Sequence, residues 1–471
     1  MGDSMPVNSF DNYYMSWKPD IKNIKSPIYK GLADILENDI KTGKLKAGTK
    51  LPPQRELADF LDINLSTVSR AIKLAMEKGL LSSSVGCGTF VSSDVGFNTI
   101  ILSHTENKEV IEMGAILPDI KCNKLLTEYM EKIMKEQDAE KYFQYGMPEG
   151  SRWNRECAVK WLNMLKLNVN EDNILFAAGN QNAMTATLAA LFKSGDKIGT
   201  SKLIYPGLKT AAKMLGIQVV PIEEENNEIT KEGLIYACKN ERIKGIYIIP
   251  DYSNPTTHSL SEEGRRNIAE VAKEWDLIII EDGINSMLRD EVDTPIIEYA
   301  KENTIYLSSI SKTISPGLRL SYVACPKTYY NEIKTALYNI NIGVSPILLE
   351  IASRIVNSGD AEKIINMRKK KIKERNEIFN SYFKDYNVLG DIYCPFRWLI
   401  LPNDFTGKSF ELCAKNCGVI VYSSERFAVG SSRVVNSVRI SVTAAKSIEE
   451  FERGLKIIKG LLESNHEVTL L

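Results

Sequence analysis

Lys312 stands in the segment Tyr306-Leu-Ser-Ser-Ile-Ser-Lys312-Thr-Ile-Ser-Pro-Gly-Leu-Arg319, between a β-type run and a Pro-Gly turn. A lysine on a short loop at a strand end can form a Schiff base with an aldehyde. The hydroxyls of Ser309 and Ser311 and the guanidinium of Arg319, seven residues on, can hold a phosphate dianion. An aldehyde and a phosphate on one small molecule describe pyridoxal phosphate. Two other readings compete. Ser309-x-x-Lys312 is also the serine–lysine pattern of penicillin-interacting enzymes, with Lys41-Thr42-Gly43 as a K-T-G, but that triplet lies far upstream and no S-D-N intervenes. The other is a surface lysine beside a turn, so the decision rests on the remaining chain.

Four further segments carry suitable chemistry. Glu281-Asp282-Gly283 lies thirty residues before Lys312, and a carboxylate facing a pyridine nitrogen keeps it protonated and electron-withdrawing. Asn254-Pro255-Thr256 offers an amide, and Ile204-Tyr205-Pro206-Gly207 offers a ring that could stack on a heterocycle. Gly179-Asn180-Gln181-Asn182 opens a helix, whose free N–H groups and dipole suit a phosphate. Singly, each has an ordinary reading as a cap, an Asx-turn, a core aromatic or a loop.

All four follow apolar strand candidates. These are 174–178, 197–200, 218–221, 245–249, 277–280, 304–307 and 322–324, mostly separated by helical segments. That alternation predicts an α/β fold whose mostly parallel sheet is covered by helices on both faces, with ligands at the carboxyl ends of the strands. At 471 residues the chain can hold two to four domains, and its net charge of −1 gives no global attraction to nucleic acid. Eight scattered cysteines and three histidines, at 104, 258 and 466, exclude a zinc site and most histidine-based schemes. No apolar run is long enough to cross a bilayer and the first thirty residues lack a signal core, so a cytoplasmic protein with reduced thiols and no membrane partner is expected.

The first ninety residues read differently. Apolar residues at 28, 32, 35, 36 and 40 form a helical stripe ended by Gly43, a second helix spans 54–61, and a third runs from about Ser66 to Lys78 with Gly79 as its stop. The tight turn Asp62-Ile63-Asn64 between the last two makes a helix-turn-helix, and residues 80–91 read as a β-hairpin wing. Ser66, Thr67, Ser69 and Arg70 lead the candidate recognition helix, while Gly86, Gly88 and Thr89 sit on the wing. Residues 1–93 carry twelve Lys/Arg against ten Asp/Glu, a net of only +2, so a single copy should bind DNA weakly.

This block resembles the GntR family of winged-helix regulators through Ile28-Tyr29, Gly43-x-Leu45, Gly48, Leu51-Pro52, Arg55-x-Leu57-Ala58, Thr67-Val68, Ala71, Gly79-Leu80 and Gly86-x-Gly88-Thr89-Phe90-Val91. The resemblance makes Arg55 a DNA-binding candidate too and implies a dimer on two half-sites. Residues 113–471, including Tyr145-Gly146-x3-Gly150-x4-Arg155 and Val438-Arg439-Ile440-Ser441, resemble fold-type I aminotransferases, with a smaller subdomain from about 345. Residues 94–112 would be the linker.

The fusion resembles MocR-type regulators. It implies a homodimeric, DNA-binding transcriptional regulator that senses an amino compound by aldimine exchange at Lys312. The alternatives are a working aminotransferase with an accessory DNA-binding segment, and a regulator using the second domain only as a dimerising scaffold. By the same resemblance Lys312 is the Schiff-base lysine, Asp282 partners the pyridine nitrogen, Asn254 bonds the ring hydroxyl and Tyr205 stacks on the ring. Gly179, Asn180, Gln181, Ser309, Ser311 and Arg319 hold the phosphate, and Arg439 an effector carboxylate. The chain departs from the pattern at Leu65 and Ser84, where arginines are usual, at Ile284 and Asn285, where a tyrosine is usual, and at Thr257, where a glycine is usual.

Overall fold

A computed structural model of the chain describes residues 15–20, 24, 27–46, 48–78, 80–84, 88–92, 110–119, 123–402, 405–430, 432 and 434–463. It comprises two compact units, residues 1–98 with 428–433, and residues 99–427 with 434–471.

In the first unit, α1 (Ile28–Lys41) turns Leu32, Ala33, Leu36 and Ile40 inward, the spacing of one helical face. Helix α2 (Gln54–Leu61) stops at Asp62, whose φ of 51° is left-handed, and α3 (Leu65–Glu77) follows within three residues. An aspartate tolerates that conformation because its short polar side chain bonds locally. Trp17, Leu36, Leu57, Val68, Ala75 and Val91 share the core. The Trp17 indole donates to the buried Asp39 carboxylate at 2.9 Å. Strands β1 (Leu81–Ser84) and β2 (Gly88–Val91) form the expected hairpin, with Leu81 opposite Val91. Gly79, the hairpin tip with Gly86, and the run 99–102 lie outside the described residues.

The second unit begins with β3 (Ile111–Glu112), α4 (Asn123–Met134) and α5 (Arg152–Asn163). Then come β4 (Ile174–Ala177), α6 (Asn180–Leu191), β5 (Lys197–Thr200), α7 (Pro206–Met214), β6 (Gln218–Pro221), and the short hairpin β7 (Glu224–Glu225) and β8 (Glu228–Ile229). Helix α8 (Lys231–Tyr236), β9 (Gly245–Ile248), α9 (Glu262–Trp275), β10 (Ile278–Asp282), β11 (Thr304–Ser309) and β12 (Ser321–Ala324) complete the larger part. The seven predicted strands form a single sheet in the order β4-β12-β11-β10-β9-β5-β6. Only β12 runs against its neighbours, β11 and β4. Ile279, Ile280, Ile305 and Leu307 are fully buried in it; at about 1.5–3 kcal/mol for each such side chain, the sheet is a firm floor for the loops at its carboxyl edge.

Helices α10 (Lys327–Asn341), α11 (Pro346–Asn357) and the 24-residue α12 (Asp360–Phe383) lead to the smaller subdomain. There β13 (Val388–Leu389), β14 (Phe396–Ile400), β16 (Tyr422–Ser423) and β17 (Ser437–Ser441) make an antiparallel sheet in the order β13-β14-β17-β16, covered by α13 (Gly407–Asn416) and α14 (Ile448–Glu463). Strand β15 (Val419–Ile420) pairs in parallel with β3, and Ile111, Met113 and Ile116 share a core with Phe396, Val438 and Phe451. The segment leading out of the expected linker therefore packs with the C-terminal subdomain.

Candidate cofactor site and DNA-binding face

Asp282 ends β10, buried, with three donors on its carboxylate. Asn180 Nδ2 reaches Oδ1 at 2.5 Å, Ile284 N–H reaches Oδ1 at 3.1 Å, and the Tyr247 hydroxyl reaches Oδ2 at 2.6 Å. Burial pushes the carboxyl up to about 6, against the pull of these donors. The Ser321 hydroxyl donates to Asn180 Oδ1, which fixes the amide with its N–H toward Asp282. The Asn180 side chain is thus committed to the carboxylate, and its backbone N–H is what it offers a phosphate.

Lys312 follows β11. Its Nζ donates to the Ile116 carbonyl at 2.5 Å. Burial, and then the charges of Arg439 and Arg319, push the amine down to about 8, so the neutral nucleophile, still the minority form near physiological pH, is far more abundant than for an ordinary lysine.

Ser311 Oγ is buried with no hydrogen-bond partner among the described residues. The Ser309 hydroxyl donates to Leu320 O at 3.4 Å and accepts from Ser311 N–H at 3.1 Å, so it braces the turn. Gly179, at φ 85°, is the N-cap of α6, and no side chain caps that end. A Cβ there would lie 2.5 Å from Arg319 Nη2, so only glycine lets the guanidinium sit beside the helix N-terminus. Arg319 itself donates to Ala178 O at 3.2 Å and is otherwise exposed. Gln181 Nε2 holds Gly207 O at 3.1 Å, while its Oε1 is buried without a partner.

Tyr205, the N-cap of α7, is half-buried and feels the charges of Asp282, Arg439 and Arg319. Arg439 on β17 is 1% exposed. It donates through Nη1 to Asn254 Oδ1 and through Nη2 to Gly114 O at 2.6 Å, leaving Nε buried without a partner. Phe427, Tyr422 and Phe396 enclose it with ring centroids 4.9, 5.5 and 5.7 Å away. Among the described residues it forms no salt bridge.

Asn285, where a tyrosine is usual, donates to Tyr252 O at 2.9 Å. The Tyr252 hydroxyl in turn meets Asp391 at 2.8 and 2.9 Å. Tyr247, Ser321 and the Asn285–Tyr252 bond had no signal in the sequence, because each depends on neighbours brought together by sheet pairing.

The DNA-binding candidates belong to the first unit. Ser66, Arg55 and Arg70 are exposed and Thr67 is half-buried. The Arg70 guanidinium stacks 4.1 Å from the Tyr29 ring centroid. The Ser69 hydroxyl donates to Gln54 Oε1 at 2.7 Å, tying α3 to α2. Gly88 and Thr89 form the return strand of the hairpin, where Thr89 O accepts from Leu51 N–H at 2.8 Å. Lys73, one turn beyond Arg70 and exposed on α3, is a cation the sequence reading did not select.

A winged helix and a fold-type I aminotransferase domain define the class of protein. Residues 28–91 match the bacterial regulatory proteins of the gntR family, and residues 108–458 match aminotransferase class I and II. The HTH-type transcriptional regulator YdeF of Bacillus subtilis, itself uncharacterized, is 48% identical over 98% of this chain and 99% of its own. The HTH-type transcriptional regulator NorG of Staphylococcus aureus is 24% identical over 80% of this chain and 93% of its own. Among solved structures, a Pyrococcus horikoshii kynurenine aminotransferase shares 23% identity with a TM-score of 0.69, covering 76% of this chain and 91% of its own. LysN, the α-aminoadipate aminotransferase of Thermus thermophilus, gives 19% and 0.69 over 78% and 95%. The chain belongs to the MocR-type transcriptional regulators, in which a GntR winged helix is fused to an aminotransferase class I and II domain. Pyridoxal phosphate is the cofactor of that second domain. The residues present fit it: a buried amine of lowered basicity, a buried carboxylate, an uncapped helix N-terminus beside an arginine, and an unpartnered serine hydroxyl.

Proposed function

We propose that this regulator responds to an effector carrying both a primary amine and a carboxylate, which binds at Lys312 and Arg439. The observation that carries the reading is Arg439, a fully buried guanidinium that among the described residues has an unpartnered Nε and no carboxylate bonded to it. Burying a charge with no bonded counter-ion is costly; Glu112, whose charge Arg439 feels, spends Oε1 on the Gly114 and Ala115 N–H groups, and a ligand carboxylate offers the planar, two-pronged partner that a guanidinium suits best.

Pyridoxal phosphate supplies an aldehyde that bonds primary amines reversibly and a ring that withdraws electrons from the bonded carbon. The chain's part is to hold and to select. Lys312 Nζ is the amine for that aldehyde, so an effector amine competes with it. Asp282 holds the ring nitrogen's proton, Asn254 bonds the ring hydroxyl, and Tyr205 covers the ring face. Arg319, the Ser311 hydroxyl and the N–H groups of Asn180 and Gln181 would hold the phosphate; Gly179, whose own N–H donates to Ala177 O at 2.8 Å, would give it room, and Ser309, whose hydroxyl is bonded within the turn, would hold Ser311 in place. The effector's differential contacts bias the arrangement that binds DNA.

Residues 1–93 would bind operator DNA through Arg55, Ser66, Thr67, Arg70 and the wing residues Gly86, Gly88 and Thr89, with Ser69 tying the recognition helix to α2. Residues 94–112 would link them to the effector domain at 113–471, with its smaller subdomain from about 345. A homodimer is supported by Phe143 and Tyr145, which are 71% and 84% exposed beside the exposed Met147, on a segment packed against Val344 and Pro346. Exposed apolar groups gathered in this way mark an interaction surface, and a second copy is the partner two operator half-sites call for. No described helix is long and apolar enough to cross a membrane, and a DNA partner supports a cytoplasmic location.

The test is the visible spectrum and operator binding of the purified protein against a panel of amino acids and simple amines, wild type beside Arg439→Lys. Arg439→Lys keeps the charge and removes the planar fork. It should weaken amino-acid effectors at least tenfold, by about 1.4 kcal/mol, while leaving cofactor and DNA binding intact. Unchanged effector concentrations in the variant, or a response to simple amines alone, would remove Arg439 from the site.

A further inference from the structure

Strands β9 and β10 pair in parallel with Tyr247 opposite Ile280. Asp282 lies two residues beyond Ile280, so its side chain emerges on the same face of the sheet as the Tyr247 ring, one strand over. Tyr247 is fully buried, and among the described residues its hydroxyl has one partner, the Asp282 carboxylate at 2.6 Å. From α6, Asn180 meets the other carboxylate oxygen, its amide oriented by Ser321 of β12. The remaining groups facing Asp282 are the Ile284 N–H and the Tyr205 ring. Its neighbour Glu281 turns away, accepting from the N–H groups of Ile296 and Ile297 at 2.9 Å. No cation forms a salt bridge with Asp282 among the described residues, so neutral donors alone keep this carboxylate ionised and aimed.

Resting on the cofactor-site reading, we infer that Tyr247 is a positioning residue for the cofactor, its hydroxyl holding the Asp282 carboxylate as the anion that a protonated ring nitrogen requires. The work of this hydrogen bond opposes burial, which pushes the Asp282 carboxyl up to about 6. Removing one donor from a buried anion raises its pKa further. At a given pH below that value more Asp282 is protonated, and the ring nitrogen loses its partner.

The experiment is the affinity of the full-length apoprotein for pyridoxal phosphate, followed by visible absorbance between pH 5 and 8.5, for wild type, Tyr247→Phe, Asn180→Ala and Tyr322→Phe. Tyr322 is a comparison because its buried hydroxyl bonds nothing and sits elsewhere in the sheet. Wild type should lose affinity on the acid side. In Tyr247→Phe and Asn180→Ala that loss should begin about one pH unit higher, with affinity down about tenfold at pH 5 and only about twofold near neutrality. Tyr322→Phe should keep the wild-type profile. If Tyr247→Phe keeps it as well, or loses affinity equally at every pH, Tyr247 is a packing residue and the inference falls while the cofactor site stands. If wild type itself binds no pyridoxal phosphate, the site reading and this inference fall together.

Discussion

At the residue scale, the lowered basicity of Lys312 has a direct kinetic consequence. Only the neutral amine attacks an aldehyde. Burial and the nearby Arg439 and Arg319 disfavour the ammonium and bring the amine to about 8, so the neutral fraction rises with pH and saturates above that value. Reconstitution of apoprotein with pyridoxal phosphate, followed as growth of visible absorbance, should accelerate up to about pH 8 and then level off. An ordinary lysine would keep accelerating toward pH 10. Lys312→Ala should abolish both the absorbance and borohydride trapping of the cofactor; trapping at another lysine would show that the anchoring amine lies elsewhere. Asn285 shapes the chemistry that follows. It spends its amide on the Tyr252 carbonyl, so no tyrosine hydroxyl tunes the ring from this position, and transamination with common amino donors should stay far below the roughly 10 per second of an ordinary enzyme. Stopped-flow and steady-state assays would separate a single half-reaction from turnover, and turnover at an ordinary rate would favour the aminotransferase reading.

At the scale of elements, the loop from Tyr252 to Thr257 joins the two subdomains of the second unit. Asn285 holds it from β10's side, while Asp391 and Arg439 hold it from the smaller subdomain. It carries two residues at positive φ, Tyr252 at 45° and Thr257 at 66°. A β-branched residue is especially unfavourable there, and Thr257 occupies the position where the family's pattern has a glycine. Thr257→Gly should relieve strain of about 1–3 kcal/mol while returning up to about 1 kcal/mol through unfolded-chain entropy, a net gain of about 1 kcal/mol in urea unfolding of the apoprotein. No gain would mean that the loop's hydrogen bonds already absorb the strain. The seven strands were legible because each carries a short, mostly apolar or β-branched stretch bounded by turn residues or a helical segment. Lys312, Asp282 and Gly179 were legible because their motifs are local to single strand ends. Tyr247 on Asp282 was not, since only the β9–β10 register brings it there, and Asn285 read as a missing tyrosine rather than as a bond to Tyr252. In the first unit, Ser69 looked like a base reader but its hydroxyl is tied to Gln54, a contact set by the angle between α2 and α3.

At the scale of the whole molecule, DNA binding must be reconciled with weak electrostatics. Residues 1–93 carry a net charge of only +2 and the full chain −1, while phosphate neutralisation supplies essentially all non-specific affinity. One winged helix should therefore hold DNA poorly, and occupancy should come from two modules tethered in one dimer, where the second contact benefits from a high effective concentration. Phe143→Asp with Tyr145→Asp places two charges on the exposed apolar segment of the second unit. This pair of substitutions should shift sedimentation toward the monomer and weaken binding to a two-half-site operator by tenfold or more, while binding to a single half-site stays as it was. Arg70→Ala, by contrast, should weaken both DNAs by ~1–3 kcal/mol per site if its guanidinium leaves the Tyr29 ring to read a base. A dimer that persists in the double variant would assign the interface to another surface. A monomeric variant that keeps wild-type operator affinity would show that one winged helix suffices, and the argument from charge would then be wrong.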